Sequence, residues 1–311
     1  MSRVPRGLGR AASAASDQAV ALGYVSGWRL VRLLPESAAR RLFDRIADQV
    51  YRRDPRAVQR LRANLDRVVG RPVPEALVHE AVRSYLRYWC ESFRLPSWPT
   101  GDLVARTRVS NEDTLRQAYA EGRGVVVALP HMGNWDWAGA WACATGMPLV
   151  TVAERLRPER LYDEFVAYRR SLGMEILGLG DAAAFRRLQQ WVGDGGLACL
   201  LADRDLGRTG VPVTLRGHQA RMPRGPAVLA QRTGAVLLPV TMSYDGPDLA
   251  ITIHDPVPHV EGEDGVAAMM QQVADVFGEA FAAHPADWHM MQKVFVGGSA
   301  PALRARSGRG G

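Results

Sequence analysis

Apolar residues recur at helical spacing along the first hundred residues of the chain. Between prolines and glycines they return every three or four positions among basic and small residues, which is the pattern of amphipathic helices. This pattern predicts four helices, at residues 18–34, 36–53, 56–69 and 75–93. The apolar pattern of the first predicted helix is broad enough for either a core helix or a helix in a membrane interface. We therefore predict an N-terminal helical segment, residues 1–100, that faces a membrane and packs on the core.

The pattern changes after residue 124, where short apolar runs alternate with amphipathic segments. Such alternation is typical of βαβ units around a buried, largely parallel sheet. Strands are predicted at 125–129, 149–153, 175–179, 197–202, 236–242 and 249–253, and helices at 135–145, 158–172, 182–192, 225–233 and 266–283. The predicted fold is α/β, with a central, mostly parallel sheet flanked by helices in a domain at 101–296. Residues 297–311 are rich in Gly, Ser and Arg and are predicted to form a disordered tail.

The composition fits one large core, and the charge is concentrated at one end. The chain has 311 residues, of which 47% are hydrophobic, and a net charge of +7. Residues 1–100 carry 18 Arg against 9 acids. A basic N-terminal face suits an anionic membrane surface, where each basic side chain contributes about 1 kcal/mol. Nucleic acid is not predicted as a partner, because no zinc finger, aromatic RNA-binding signature or dense basic stripe is found.

The sequence predicts no membrane span and no metal site. The longest uncharged run near the N-terminus, residues 18–28, has 11 residues, short of the roughly 20 that a membrane helix needs. We therefore predict a peripheral protein. The three cysteines, Cys90, Cys143 and Cys199, show no CxxC spacing, which indicates a reducing compartment and no structural zinc.

The strongest local signal is GVVVALPHMGNWDWAG, residues 124–139, in which a buried strand runs through a Pro-His turn into a helix. His131 stands where the strand ends, at the edge of the sheet where ligands bind in open α/β folds. If Asp136 lies in the first helical turn, its carboxylate reaches the imidazole and orients His131 as a general base. Backbone amides near Gly133 and Asn134 are predicted to hold an oxyanion or a phosphate. The alternative is a histidine that caps the helix, with Asp136 stabilised by the helix dipole.

The string PHMGNWDWAG resembles the HxxxxD block of the glycerolipid and lipid A acyltransferase superfamily. Within it the chain is similar to the actinobacterial phosphatidylinositol mannoside acyltransferases. The resemblance continues through four further blocks, at 152–177, 200–213, 221–240 and 284–295. It implies an enzyme at the cytoplasmic face of the cell membrane that transfers a palmitoyl-type chain from acyl-CoA to a mannose hydroxyl of a phosphatidylinositol mannoside. It implies no metal and no cofactor beyond the acyl-CoA co-substrate.

The resemblance also implies roles for individual residues. It makes His131 the base and Asp136 its partner, and it places an assisting acid at Asp203, where the family usually has the longer Glu. Glu154 and Arg169 match an acid and an arginine that support the pocket, and an ion pair between them is the structural alternative.

Three further groups of residues are assigned from chemistry alone. Arginines around the fourth predicted strand either grip substrate phosphates or form a solvated basic face; they are Arg204, Arg208, Arg221 and Arg224. His289, with His284 and Trp288, either lines the site or packs at a helix end. Candidate walls of an acyl tunnel, which are otherwise ordinary core residues, are Trp135, Trp137, Trp141 and Met147.

Three functional alternatives stay open at this stage. The acceptor is a lysophospholipid or a lipid A-like saccharide, or the chain hydrolyses thioesters, or it is a non-catalytic scaffold that binds lipid at a membrane surface. The sequence lacks the GxSxG elbow of serine hydrolases. This agrees with direct transfer, because a thioester is already activated and needs no enzyme nucleophile.

Overall fold

The computed structural model describes residues 27–155, 158–181, 183–205, 207 and 209–297. Parts of several predictions lie outside these ranges. They are residues 1–26 of the predicted N-terminal segment, which include 18–26 of the first predicted helix, residue 182 of the helix predicted at 182–192, and residues 298–311 of the predicted tail. Arg208 of the predicted phosphate-binding group also lies outside them.

The N-terminal part of the described chain is helical. Residues 27–33 are helical and are followed by α1 (Glu36–Arg53), α2 (Arg56–Val69) and α3 (Glu75–Arg94). A proline precedes each of these three helices, because proline lacks the amide hydrogen that a helix interior requires. Residues 27–33 are tied to the end of α3, where the Trp28 indole and the Arg32 guanidinium both donate to the Phe93 carbonyl at 2.9 and 2.8 Å.

A seven-stranded sheet forms the centre of the molecule and confirms the predicted fold class. Its strands are β1 (Thr107–Ser110), β2 (Val125–Leu129), β3 (Leu149–Ala153), β4 (Glu175–Gly178), β5 (Leu197–Leu201), β8 (Val236–Asp245) and β9 (Asp248–Ile253). Their order is β1-β9-β8-β2-β5-β3-β4. Every neighbouring pair is parallel except β8 and β9. All five residues of β2 are buried, as expected of a central strand that is covered on both faces.

Helices cover both faces of the sheet. They are α4 (Thr100–Ala105), α5 (Glu112–Ala120), α6 (Trp135–Ala144), α7 (Glu159–Ser171), α8 (Ala184–Gly193), α9 (Gly225–Thr233) and α10 (Gly262–Ala283), with short 3₁₀ turns at Leu95–Ser97 and Pro285–Asp287. No helix in the described ranges is long and apolar enough to cross a bilayer.

The sequence pattern missed several short elements. These are β1, α4, α5 and an antiparallel hairpin of β6 (Val211–Leu215) and β7 (His218–Met222). The strand β1 has four residues and only alternates between exposed and half-buried positions. Such a segment has too few positions for a periodic pattern to stand out from its surroundings.

Parallel pairing determines where the candidate site lies. β2 and β5 are in register from Val125 opposite Leu197 to Leu129 opposite Leu201. The residues that follow the two strands therefore leave the same edge of the sheet side by side. His131 follows β2 and Asp203 follows β5, so the register alone brings them together.

Candidate active site

His131 and Asp203 form a close pair at the carboxyl edge of the sheet. The imidazole Nδ1 lies 2.6 Å from Asp203 Oδ1, and the backbone amide of His131 donates to Oδ2 at 2.9 Å. Asp203 is buried, whereas the His131 side chain keeps 18% of its surface exposed. Asp203 thus reaches the imidazole although its side chain is one methylene shorter than the family's usual Glu.

Trp288 supplies a third hydrogen bond to the same carboxylate. Its indole Nε1 donates to Asp203 Oδ2 at 2.9 Å, and its ring stacks on Phe281. Burial raises the pKa of Asp203, but the charge of His131 and the hydrogen bonds from His131 and Trp288 outweigh it, so the pKa lies below its ordinary value. An ionised carboxylate accepts the proton on Nδ1, which leaves Nε2 as the basic nitrogen of the neutral ring.

The predicted pairing of Asp136 with His131 is wrong. Asp136 is buried in the first turn of α6, where its Oδ1 accepts from Arg169 Nε at 2.7 Å and its Oδ2 accepts from the Tyr88 hydroxyl at 3.0 Å. The helix begins at Trp135, as predicted, but the Asp136 side chain points toward α3 and α7, where its two partners lie, rather than back to the turn. Burial lowers the pKa of Arg169, but the charge of Asp136 outweighs it and raises the pKa. Asp136 therefore links α3, α6 and α7.

The alternative pairing of Glu154 with Arg169 is also wrong. Arg169 is bound to Asp136, and the nearest cation to Glu154 among the described residues is Arg204, whose Nη2 lies 3.6 Å from Glu154 Oε2. That distance is too long for a hydrogen bond. The Nε of Arg204 is buried without a hydrogen-bond partner among the described residues. Arg204 therefore brings a weakly paired guanidinium to the edge, directly after Asp203.

Asn134 acts as the cap of α6. Its side-chain oxygen accepts from the Trp137 amide at 3.0 Å, and its nitrogen donates to Glu91 Oε2 at 3.1 Å. The amide of Gly133, expected to be free for an oxyanion, instead donates to the Asp287 carbonyl at 2.9 Å. Gly133 has a φ of +57°, and a Cβ there would lie 2.9 Å from Met242. The turn therefore requires glycine because of its backbone shape and close packing.

His289 lies beside the pair and has one unused nitrogen. The Ser84 hydroxyl donates to Asp287 Oδ1 at 2.7 Å, so it accepts from His289 Nε2 at 3.1 Å. The other nitrogen, Nδ1, is therefore an acceptor, and it is buried without a hydrogen-bond partner among the described residues. Burial, followed by the charge of His131, lowers the pKa of His289 to about 3. The ring is neutral, and its centroid lies 6.2 Å from that of Trp135.

The buried neutral ring of His289 is expected to make the fold sensitive to acid. In the unfolded chain its pKa returns to about 6.5, so the unfolded state binds the extra proton between pH 6.5 and about 3. Stability therefore falls as the pH drops through this window, by about 2 kcal/mol from His289 between pH 7 and pH 5. Urea unfolding at the two pH values measures the loss. The variant His289→Gln should lose correspondingly less, and equal losses in both proteins would contradict the assignment.

Arg221 and Arg224 do not join the site. Arg221 lies on β7 and donates to the Gly210 carbonyl, and Arg224 pairs with Glu263 at 2.6 Å. No contact among the described residues connects either arginine to His131. Within the same residues, no group of three or more His, Cys, Asp or Glu side chains is arranged to hold a metal ion.

An apolar cavity of about 70 Å³ lies between the sheet and α6. Trp135, Trp141, Asp136 and Arg169 line it, together with residues of β2, β3, β5, β8 and β9. Of the predicted tunnel residues, Trp135 and Trp141 line this cavity, whereas Trp137 and Met147 are fully buried in the core outside it. Trp135 also contacts His131, with ring centroids 5.3 Å apart.

Residues of α3 that were not predicted as site residues support the site. Ser84 holds His289, Tyr88 holds Asp136, and Glu91 holds Asn134 while accepting from Arg40 and Arg87. Their spacing of four and then three places them on one helical face. Polar residues on a face that otherwise packs inward are a signal that was present in the sequence.

The sequence of the chain matches a known class of enzyme. The chain belongs to the bacterial lipid A biosynthesis acyltransferase family, whose family model matches residues 13–296. It is thus an acyltransferase, and the predicted family resemblance is confirmed.

Its relatives include enzymes with a narrower description. The chain is 44% identical over 296 residues to the phosphatidylinositol mannoside acyltransferase of Mycolicibacterium smegmatis, covering 94% of this chain and 96% of that protein. It is 42% identical over 290 residues to the enzyme of the same description from Mycobacterium tuberculosis, covering 91% of this chain and 90% of that protein.

Proposed function

We propose that this acyltransferase moves a long, palmitoyl-type acyl group from acyl-CoA to a mannose hydroxyl of a phosphatidylinositol mannoside, as a peripheral protein at the cytoplasmic face of the cell membrane. The observation that carries the proposal is an imidazole held through Nδ1 by the buried Asp203, in contact with Trp135, which lines an apolar cavity. It is joined by similarity over nearly the full length to enzymes described as acting on that glycolipid.

The proposed reaction needs one base and no covalent enzyme intermediate. His131 Nε2 takes the proton of the mannose hydroxyl while its oxygen attacks the thioester carbonyl carbon. The tetrahedral intermediate collapses by breaking the carbon–sulfur bond, and the leaving thiolate takes the proton from Nε2. Asp203 stabilises the imidazolium that forms between these two transfers. The products are an ester and free CoA, and His131 returns to its starting form.

The donor side of the proposal rests on the cavity and on Arg204. An acyl chain gains about 0.8 kcal/mol for each methylene that it buries, so an apolar cavity beside the base both binds the chain and excludes water. The weakly paired guanidinium of Arg204 belongs to the residue that directly follows Asp203 at the same edge of the sheet. A coenzyme phosphate is the ligand that such a group binds best, through two parallel hydrogen bonds.

The acceptor side rests on His289. A buried acceptor nitrogen without a partner costs about 1–3 kcal/mol, which a ligand that donates to it recovers. A neutral sugar offers several hydroxyl donors, and a second hydroxyl of the mannose is the group that we assign to His289 Nδ1. This contact would orient the ring so that the reacting hydroxyl faces His131.

Membrane attachment is proposed through residues 27–33 and α1. Four large apolar side chains are exposed there: Leu30 at 61%, Leu33 at 81%, Leu42 at 41% and Ile46 at 39%. Three exposed arginines lie among them, Arg29, Arg41 and Arg45. Apolar side chains that insert into the interface and cations that meet anionic head groups together favour peripheral binding.

Replacing both Leu30 and Leu33 with serine is expected to weaken binding to anionic vesicles by about tenfold or more, because two leucines then no longer leave water. Sedimentation with phosphatidylglycerol-containing vesicles measures the partitioning. The control is Val260→Ser, which changes another exposed apolar residue, before α10. Unchanged partitioning of the double variant would place the membrane contact elsewhere.

The acceptor is tested by supplying purified protein and palmitoyl-CoA with one acceptor at a time. We expect acylation of a phosphatidylinositol mannoside and little acylation of a lysophospholipid or of a lipid A precursor. The lipid A precursor is the second candidate because the family description names that pathway. Acylation of only one of the other two acceptors would overturn the assignment. CoA release that is unaffected by any acceptor would indicate a thioester hydrolase.

A further inference from the structure

The apolar cavity is too small for the chain that the proposed function assigns to it. Its volume of about 70 Å³ is well below the roughly 300–1,000 Å³ of pockets that hold ligands of comparable size. The protein interior is close-packed, so the missing space must come from side chains that move. At least one of the residues that line the cavity must therefore move.

Met174 fills the space that Gly139 leaves open on α6. A Cβ built on Gly139 would lie 2.8 Å from Cε and 3.0 Å from Sδ of Met174. The Met174 side chain is therefore packed against the bare backbone of the helix that forms one wall of the cavity. Gly139 lies in the middle of α6, where glycine costs about 1 kcal/mol relative to alanine. The close approach of Met174 gives a packing reason for that glycine.

Met174 is also the most flexible type of apolar residue in the lining. The side chains on the sheet side include the β-branched Val127, Ile251 and Ile253, which have few rotamers. Trp141 on the helix side has a rigid ring. Methionine is unbranched with three rotatable bonds and adapts to irregular gaps. The backbone of Met174 is held, because its amide donates to the Arg169 carbonyl at 3.2 Å, so the available movement is a change of rotamer.

The position of Met174 along the cavity defines what that movement would do. The lining includes Leu129 and Leu201, at the edge of the sheet that carries His131, and Leu149 and Leu197, which are paired four residues away toward the opposite edge. Four residues of strand span about 13 Å, which is shorter than an extended palmitoyl chain. Met174 directly precedes Glu175, which pairs with Val150. It therefore lies beside Leu149, at the deep end.

We propose that Met174 closes the deep end of the acyl cavity and swings aside only for chains of palmitoyl length, so that it sets which acyl donors the enzyme prefers. This inference rests on the proposed function for the identity of the donor. It adds the residue that determines the chain-length preference and the conformational step by which the cavity opens.

The test compares the binding of palmitoyl-CoA and lauroyl-CoA to the whole protein without acceptor, by titration calorimetry. For Met174→Ala we expect palmitoyl-CoA to bind about tenfold more tightly relative to lauroyl-CoA than in the original protein, because the deep end stands open. For Met174→Phe we expect the opposite shift by a similar factor, because a rigid ring keeps it closed. Gly139→Ala should shift the preference in the same direction as Met174→Phe, since the added methyl group presses on Met174.

Met147→Ala is the matched control, because Met147 is a buried methionine that does not line the cavity. We expect its affinity ratio to stay within twofold of the original. The conservative variant Met174→Leu keeps the volume but loses one rotatable bond. It should weaken palmitoyl-CoA binding and leave lauroyl-CoA binding unchanged. A loss of folding would weaken the binding of both donors, so this result distinguishes the proposed movement of Met174 from misfolding.

The two proposals fail in different ways. An unchanged ratio of the palmitoyl-CoA and lauroyl-CoA affinities in Met174→Ala and Met174→Phe overturns the proposed role of Met174, whichever acceptor the enzyme acylates. Binding of both acyl donors without transfer to any acceptor overturns the proposed function. A shifted affinity ratio would still support the proposed role of Met174 in that case, because no acceptor takes part in the binding measurement.

Discussion

Replacing His131 with alanine is expected to lower kcat for acyl transfer by about 10²–10⁴-fold, which is the usual contribution of a general base. The variant keeps Asp203 and the cavity, so the KM for palmitoyl-CoA should change little. Initial rates of ester formation on the mannoside acceptor measure the loss. The backbone amide of residue 131 and the Trp288 indole still donate to the buried Asp203 in this variant, and its Tm checks that the protein is folded.

A matched histidine control is available on the surface. His259 lies beyond β9 and pairs with Glu261 at 2.8 Å, so His259→Ala should retain the original rate. If His131→Ala also retained the rate, the imidazole would have no catalytic role.

Replacing Asp203 with asparagine is expected to lower kcat by about 10²–10⁴-fold, because the amide no longer stabilises the imidazolium or holds the required tautomer. The side chain keeps its size, and Trp288 can still donate to the amide oxygen. The loss should therefore appear in kcat rather than in the KM for palmitoyl-CoA. The variant Asp203→Glu provides a second measurement, since a carboxylate is retained and part of the rate should return.

Asp136→Asn separates the two candidate partners of His131. It leaves the buried cation of Arg169 without its charged partner, and breaking such a pair costs about 3–5 kcal/mol of stability. We expect a lower Tm, with kcat of the folded enzyme within about tenfold of the original. A loss of kcat as large as that of Asp203→Asn, without a change in Tm, would restore Asp136 as the orienting acid.

Much of the fold was predictable because its long elements have strong patterns. The all-buried β2 run, Val125–Leu129, is followed by a Pro-His turn and then a helix. Proline ends the strand and a polar residue at that point has no place in the core, so His131 was predictable at the edge of the sheet. The same rule applies to Asp203 after β5.

The partner of His131 was not predictable from local spacing. Asp136 is close in sequence and was predicted to turn back, but the helix directs it to Arg169, which is 33 residues further along the chain. Asp203 is 72 residues away and becomes the partner because β2 and β5 are adjacent and parallel. A carboxylate binds whichever cation or hydrogen-bond donor the packing of the fold places beside it. The separation of two residues in sequence does not show whether they are close in the fold.

By itself the sequence determined the class of fold, the place of His131 at the end of a buried strand and the family of the chain, because apolar periodicity and contiguous motifs are properties of the chain in order. Only the tertiary structure decided which acid holds the imidazole, that Trp288 and Ser84 complete the site and that Met174 lies against Gly139. Those contacts join residues from separate elements, and close packing selects them only after the sheet and helices have come together.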